Sequence, residues 1–560
     1  MAKQSILLTV GNDVALCIFE QLYNHYPSSL GQLRLVSRQC RDLADSFFFR
    51  RIRLYDQDLP PNLNAVNGHI IRRLLDPKDV LSRYVWHFSI DRFFPGTELS
   101  TLDSTAIFEQ IILNLNGPHT FYLHAAYGMS ESTAILIQKK WPQCRLYITN
   151  DIYGTERDPL DMFAAVEHHL SAQMHYLDYT ASRAWSSSAA DPVSEHRKMY
   201  TQGFAYLAKF LKRLKNLKVL KVSESGFVLN SSDARGSMNL HLQPGERLPP
   251  LEELVFGRGM LDFNREHCVQ LRESIDKTTL RRLDLGRRCP HHFLKELKGC
   301  FPDLKSLRFA IDIYDADTAY RPSGAVPDYW KNAQCGSVRI IQDFIGSING
   351  LEELTLTEDH QGTFHTFLLP AILKQHGHTL FTLEIENKTN DPQVVWAKDE
   401  LATLLRHRPY LQRFSGHVRV THERDAPESL GNHFPDVLGV LVQFRNLRNL
   451  KLTITPQSVA DATVLAKTTF RSFFLEDSFS RLEDVVVVCW FNREWGHVES
   501  ETVEVKITRL WADDTTRFPG DYYACSERYP NEARTRALKE LASLCCNSRH
   551  AGEHGDHSQR

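Results

Sequence analysis

Leu351-Glu352-Glu353-Leu354-Thr355-Leu356 is the phrase whose recurrence decides the fold. Its form, apolar-x-x-apolar-x-apolar, returns as Leu217-x-x-Leu220-Lys221-Val222, Leu251-x-x-Leu254-Val255-Phe256 and Leu280-x-x-Leu283-Asp284-Leu285. It continues through Leu304-x-x-Leu307-Arg308-Phe309, Leu380-x-x-Leu383-Glu384-Ile385, Leu447-x-x-Leu450-Lys451-Leu452 and Leu482-x-x-Val485-Val486-Val487. Leu411 and Phe414 begin a weaker copy. Successive starts lie 34, 29, 24, 47, 29, 31, 36 and 35 residues apart. The last two apolar positions are two residues apart, so on a strand both point to one side, into a core. The first closes the turn that enters the strand. The residue between the last two faces the other way, and it is often charged: Lys221, Asp284, Arg308, Glu384 and Lys451.

Between the copies, apolar residues recur at helical spacing over Tyr206–Leu214, His292–Cys300, Val338–Ile348, Phe367–Lys374, Leu401–Arg406 and Val437–Phe444. Strand, loop and helix at such intervals resemble leucine-rich repeats, which run about 20–29 residues with an Asn or Cys three after the last core leucine. That position here holds Ser225, Gly259, Arg288 or Lys388, so the repeats are degenerate and carry no asparagine ladder. The expected fold class is α/β: a three-helix N-terminal segment followed by a curved leucine-rich-repeat-like solenoid of strand-loop-helix units. Residues 206–530 are read as this array. Residues 55–205 are read as linker helices and weak repeats, of which Val85-x-x-Phe88-x-Ile90 and Met174-x-x-Leu177-x-Tyr179 fit the form. An ordinary α/β domain in which Leu-x-x-Leu is merely common is the alternative.

The front of the chain has a different pattern. Val14, Ile18 and Leu22 recur at helical spacing; Leu33, Leu35-Val36-Ser37-Arg38, Leu43-Ala44 and the run Phe47-Phe48-Phe49 follow. So short a segment cannot bury three apolar faces by itself, and the surplus implies a partner. Residues 5–54 resemble the F-box in the form common in fungal F-box proteins. The matching pieces are Asp13-Val14, Leu16, Ile18-Phe19, Leu33, Leu35-Val36-Ser37-Arg38, Arg41, Leu43-Ala44, Phe48-Phe49-Arg50, Ile52 and Leu54, with Val10-Gly11 where the family has Leu-Pro. The resemblance implies a non-catalytic substrate-recognition subunit of a Skp–cullin–F-box ubiquitin ligase, acting in cytoplasm or nucleus. Val10, Val14, Ile18, Leu22, Leu33, Leu35, Val36, Leu43 and Phe48 would meet a Skp-type adaptor, and through it a cullin, while the array would hold an unidentified protein substrate. A helical cap on the array, or a protein-binding scaffold outside any ligase, uses the same apolar residues.

Composition limits the other functions. A net charge of −2 gives no overall field toward nucleic acid or an acidic membrane. Eleven cysteines without a CxxC pair read as reduced thiols. The longest apolar run, Val485–Phe491, is far short of the roughly 18 residues of a membrane span. No GxSxG, HExxH or phosphate-loop pattern occurs, and Cys289, His291, His292 and Cys300 lack the paired spacing of structural zinc sites, so no cofactor or metal is expected. Long insertions occupy Ala181–His196, Ser223–Pro249, Asp312–Gly336, Glu386–Ala397, Gly416–Asn432 and Asn492–Tyr529, nearly all after a strand phrase. Tyr314, Tyr320, Tyr329 and Trp330 are the interface-type aromatics of the third and the expected substrate contacts. Residues 531–547 read as a C-terminal capping helix, and 548–560 as a polar, disordered tail.

Overall fold

The computed structural model describes residues 12–25, 27–55, 68–93, 101–125, 129–151, 159–182, 204–225, 240, 242–257, 263–286, 290–311, 338–358, 364, 368–387, 396–408, 410–418, 434–454, 484–491 and 501–508. The chain divides into two compact units, Met1–Leu280 and Arg281–Arg560.

The first unit opens with helices α1 (Asn12–His25), α2 (Pro27–Leu33) and α3 (Arg38–Phe48). Ala15 and Phe19 lie one helical turn apart on α1 and are buried, and Phe19 joins Leu30 of α2 with Cys40, Ala44 and Phe47 of α3 in one core. Ser37 starts α3: its side-chain oxygen accepts from the Cys40 N–H at 3.1 Å, satisfying one of the donors that a helix start leaves open.

Seven parallel strands follow in sequence order: β1 (Arg51–Tyr55), β2 (His87–Phe93), β3 (Thr120–Ala125), β4 (Arg145–Asp151), β5 (Met174–Ser182), β6 (Val219–Ser225) and β7 (Glu253–Phe256). The register sets core position against core position. Ile52, Phe88, Phe121 and Leu146 form one row, and Leu54, Ile90, Leu123 and Ile148 the next. All eight are buried. Helices between the strands, such as Glu131–Lys140 and Arg265–Ser274, cross back in the manner parallel strands require.

The second unit repeats the plan. β8 (Arg282–Asp284), β9 (Ser306–Ile311), β10 (Glu353–Glu358), β11 (Thr382–Asn387), β12 (Arg413–Val418), β13 (Asn449–Ile454) and β14 (Asp484–Phe491) pair in order and in parallel. Leu307, Leu354, Leu383, Phe414, Leu450 and Val485 share a row. Among the described residues the first residue of each repeated phrase plugs its turn as expected: Leu217, Leu251, Leu280, Leu304, Leu351, Leu380, Leu411 and Leu447 are each at most 1% exposed, and Leu482 lies outside the described residues. All six expected helices form, with ends shifted by a few residues; examples are Lys398–His407 and Phe434–Leu441.

Four expectations need revision. Within 55–205 the weak copies read at Val85–Ile90 and Met174–Tyr179 form β2 and β5, and the stretch between them, read as linker helices, adds β3 and β4 in the same register. Residues 51–54, read as the end of the N-terminal segment, belong to β1, since Phe49-x-x-Ile52-x-Leu54 is itself a copy of the phrase and all three are buried. The stretch 492–529 is not wholly irregular: β15 (Glu501–Thr508) lies antiparallel to β14, with Val503, Val505 and Ile507 alternating with polar residues at the period of a strand. The insertion 386–397 returns to the core at its end, where Trp396 is buried, bridges Val418 and packs edge-to-face on Phe414. Gly416 permits this, since a Cβ there would sit 2.5 Å from the indole.

The missing asparagine ladder is replaced by assorted side chains that reach from one turn to the backbone of the coil before. Gln173 Nε2 donates to the Trp141 carbonyl at 2.8 Å, Asn216 Nδ2 to Ala172 at 2.7 Å, Thr279 Oγ1 to Leu251 at 2.9 Å and Thr379 Oγ1 to Leu351 at 2.7 Å. Arg408 Nη1 does the same for the His378 carbonyl at 3.0 Å. These bonds satisfy backbone groups that turns would leave without partners. Thr379→Val keeps the shape and removes one of them. It is expected to lower the second unit's stability by about 1 kcal/mol, seen as a lower urea midpoint at unchanged m-value.

Candidate functional site

The residues expected to meet an adaptor divide into two groups. Leu35 and Val36 stand in the turn between α2 and α3, where their N–H groups bond back to Gln32 and Leu33 at 3.0 and 3.1 Å. That tight turn turns both side chains outward, at 83% and 60% exposure. Val14 and Ile18, one helical turn apart on the outer side of α1, are exposed too, as is Phe48 at the end of α3. Leu22, Leu33 and Leu43 instead pack against the core of the three helices. Val10 lies outside the described residues. Leu16, not foreseen as a contact, is exposed as well.

Ten large apolar side chains are exposed among the described residues, and six of them fall between Val14 and Phe48. The head therefore concentrates uncovered apolar surface. Full burial of a Leu or Val side chain contributes about 1.5–3 kcal/mol, stabilisation that Leu35 and Val36 leave largely unrealised in the chain by itself. Basic side chains brace the surrounding surface. Arg34 pairs with Asp45 and lies over the Phe48 ring at 5.1 Å. Arg50 reaches Glu20 at 3.6 Å and covers Trp86 at 4.0 Å.

A second feature lies on the side of the first unit's sheet opposite its core. Tyr122, Tyr147 and Tyr176 each alternate with buried residues, so their rings stand on the open face, one per strand on β3, β4 and β5. Register sets Tyr122 beside Tyr147 and Tyr147 beside Tyr176. Ring centroids are 4.5 and 5.7 Å apart and both pairs are stacked. Lys221 on β6 lies 5.3 Å from the Tyr176 centroid, and the Tyr176 hydroxyl donates to Asp178 at 3.4 Å. Burial raises the Tyr147 and Tyr176 pKa values above the ordinary phenol value, so both remain hydrogen-bond donors at neutral pH. The ladder escaped notice in the sequence because tyrosines on three separate strands become neighbours only once the register is known.

On the second unit's sheet, Arg308 of β9 reaches across to Glu386 of β11 at 3.3 Å. Tyr314, Tyr320, Tyr329 and Trp330, the expected substrate contacts, lie outside the described residues, as do the capping helix at 531–547 and the tail at 548–560. Cys289 lies outside them too; His291 and His292 open a helix, and Cys300 is half-buried past its end. Among the described residues no three His, Cys, Asp or Glu side chains come together to hold a metal ion, and no helix is long and apolar enough to cross a membrane. No family model and no curated protein matches the chain.

Proposed function

We propose that the chain is the target-recognition subunit of a Skp–cullin–F-box type ubiquitin ligase, with α1–α3 as the docking head and the helix–strand coils, read as degenerate leucine-rich repeats, as the target-holding part. The observation that supports this reading is the exposure of Leu35 and Val36, the first two residues of the Leu-Val-Ser-Arg motif, in the turn before α3. In such a ligase the chain contributes proximity: tethering raises the effective concentration of target lysines near the charged conjugating enzyme. A helical cap that served only to shield the first coil would bury its apolar residues against that coil, and Leu35 and Val36 are not buried.

The test is a double substitution, Leu35→Asp with Val36→Asp. Both side chains are exposed, so folding stability is expected to stay within about 0.5 kcal/mol of wild type. Two carboxylates pressed into an apolar interface are strongly unfavourable. Tagged wild-type chain is expected to co-purify a Skp-type adaptor and a cullin, and the double variant neither. Retention of both by the variant would remove the assignment; capture of target without adaptor or cullin by the wild type would favour a scaffold outside any ligase.

A further inference from the structure

We infer that β15 pairs with its own counterpart in a second copy of the chain, antiparallel about Val505, and so joins two chains edge to edge. The ligase reading is not needed for this, which concerns the other end of the array. The position of the strand is the first ground. β15 is the last strand of its sheet: β14 lies along one edge of it, and among the described residues no strand lies along the other. All eight of its residues pair with β14 in one unbroken register. Residues of an antiparallel pair alternate between turning both backbone groups toward the partner strand and turning them away. Half of the eight therefore direct an N–H and a C=O to the outer edge. Such an edge is a template for a further strand unless Pro, a bulge or shortness guards it. β15 holds no Pro or Gly, and its register has no shift.

The rows of the sheet give a second ground. Ile507, Val505 and Val503 stand at the register positions of Val485, Val487 and Cys489. Val485 and Val487 in turn continue the core rows of Leu450 and Leu452. The apolar rows thus run out at β15, where the last coil of an array needs a cover.

Sequence decides what that cover is. Set antiparallel to itself about Val505, the strand Glu501-Thr502-Val503-Glu504-Val505-Lys506-Ile507-Thr508 places Val503 opposite Ile507 and Glu504 opposite Lys506. Thr502 falls opposite Thr508, and the two-fold makes each of these pairs occur twice. Apolar meets apolar in the core rows and opposite charges meet in the other row, as favourable cross-strand pairs require. Moving the axis by one residue sets Glu504 against Glu504 or Lys506 against Lys506. An axis between two residues sets a charge against a valine, and parallel in-register pairing sets like charge on like. Of the registers that overlap most of the strand, this one alone is matched to itself. The contact is isologous, so it closes at two chains.

Sedimentation equilibrium on the full chain, with no adaptor present, tests the inference. The wild type is expected to pass from monomer to dimer as its concentration rises, and no further. Lys506→Glu sets carboxylate against carboxylate at two places and is expected to weaken the dimer by at least about ten-fold; Glu504→Lys is expected to do the same. Glu504→Lys with Lys506→Glu in one chain restores both pairs, and its affinity is expected to return to within about three-fold of wild type. The two single variants mixed in equal amounts are expected to form a dimer that neither forms alone. Circular dichroism checks that each variant is folded, and the double variant separates lost pairing from lost fold. A wild type that stays monomeric, assembly beyond two copies, single variants of unchanged affinity, or a double variant as weak as the singles would each overturn it.

Discussion

Phe121→Ala is expected to cost the first unit about 3–5 kcal/mol, a large part of the stability of an ordinary domain. Phe121 is fully buried on β3 and meets three other buried rings: Phe88 at 5.8 Å, Phe108 at 5.9 Å and Trp141, edge-on, at 5.8 Å. Alanine removes the ring and leaves a cavity that a close-packed aromatic cluster cannot collapse to fill, so the transfer loss and the cavity loss add. A chain of two units need not unfold in one step, so the useful readout is local. Hydrogen exchange is expected to show lost protection in β2 to β4, together with a lower melting temperature. Leu113→Ala, at a 45%-exposed site on the helix Thr101–Asn114, is the control and is expected to shift stability by about 0.5 kcal/mol or less. Equal effects from the two substitutions would contradict the placement of Phe121 at the centre of the core.

Acid is expected to weaken the second unit through His417. This side chain lies on β12 at 4% exposure, and burial pushes its pKa down to about 4 from an ordinary 6.5. Above pH 6.5 the ring is neutral in folded and unfolded chains alike, and the group adds no pH dependence. Below it the unfolded chain takes up a proton that the folded chain refuses, so stability falls with pH until about pH 4 and then levels off. A difference of about 2.5 units at about 1.4 kcal/mol each gives a loss of roughly 3 kcal/mol. His376, its pKa lowered chiefly by burial, adds a loss of the same sign. Urea midpoints measured across this range are expected to drop for wild type and to drop less for His417→Gln. An unchanged slope in the variant would show that other groups carry the acid sensitivity.

The array was legible wherever the phrase began with leucine. Five strands lacked that leucine: β2 and β5, entered by Val85 and Met174, still showed the weaker form, and the other three were hidden for identifiable reasons. β1 hides inside residues that also fit the end of an F-box, β3 is entered by Pro118 rather than Leu, and β4 is entered by Cys144, two rather than three positions before Leu146. β15 had a clean alternation at Val503, Val505 and Ile507, but polar sequence on both sides concealed it. Within the head, helical spacing identified the apolar residues without saying which stripe faces inward. Leu22, Leu33 and Leu43 turned in, and Val14, Ile18, Leu35, Val36 and Phe48 turned out, a choice made by how three short helices pack on Phe19 and Phe47. The tyrosine ladder is a product of register, which no single stretch of sequence contains.

Calorimetric titration of a purified Skp-type adaptor into the full chain tests the central claim most directly. Saturable one-to-one binding is expected, with a negative heat-capacity change from burial of Leu35 and Val36 and no detectable heat with Leu35→Asp/Val36→Asp. Absence of binding by the wild-type chain, or binding of unchanged affinity by the double variant, would contradict it.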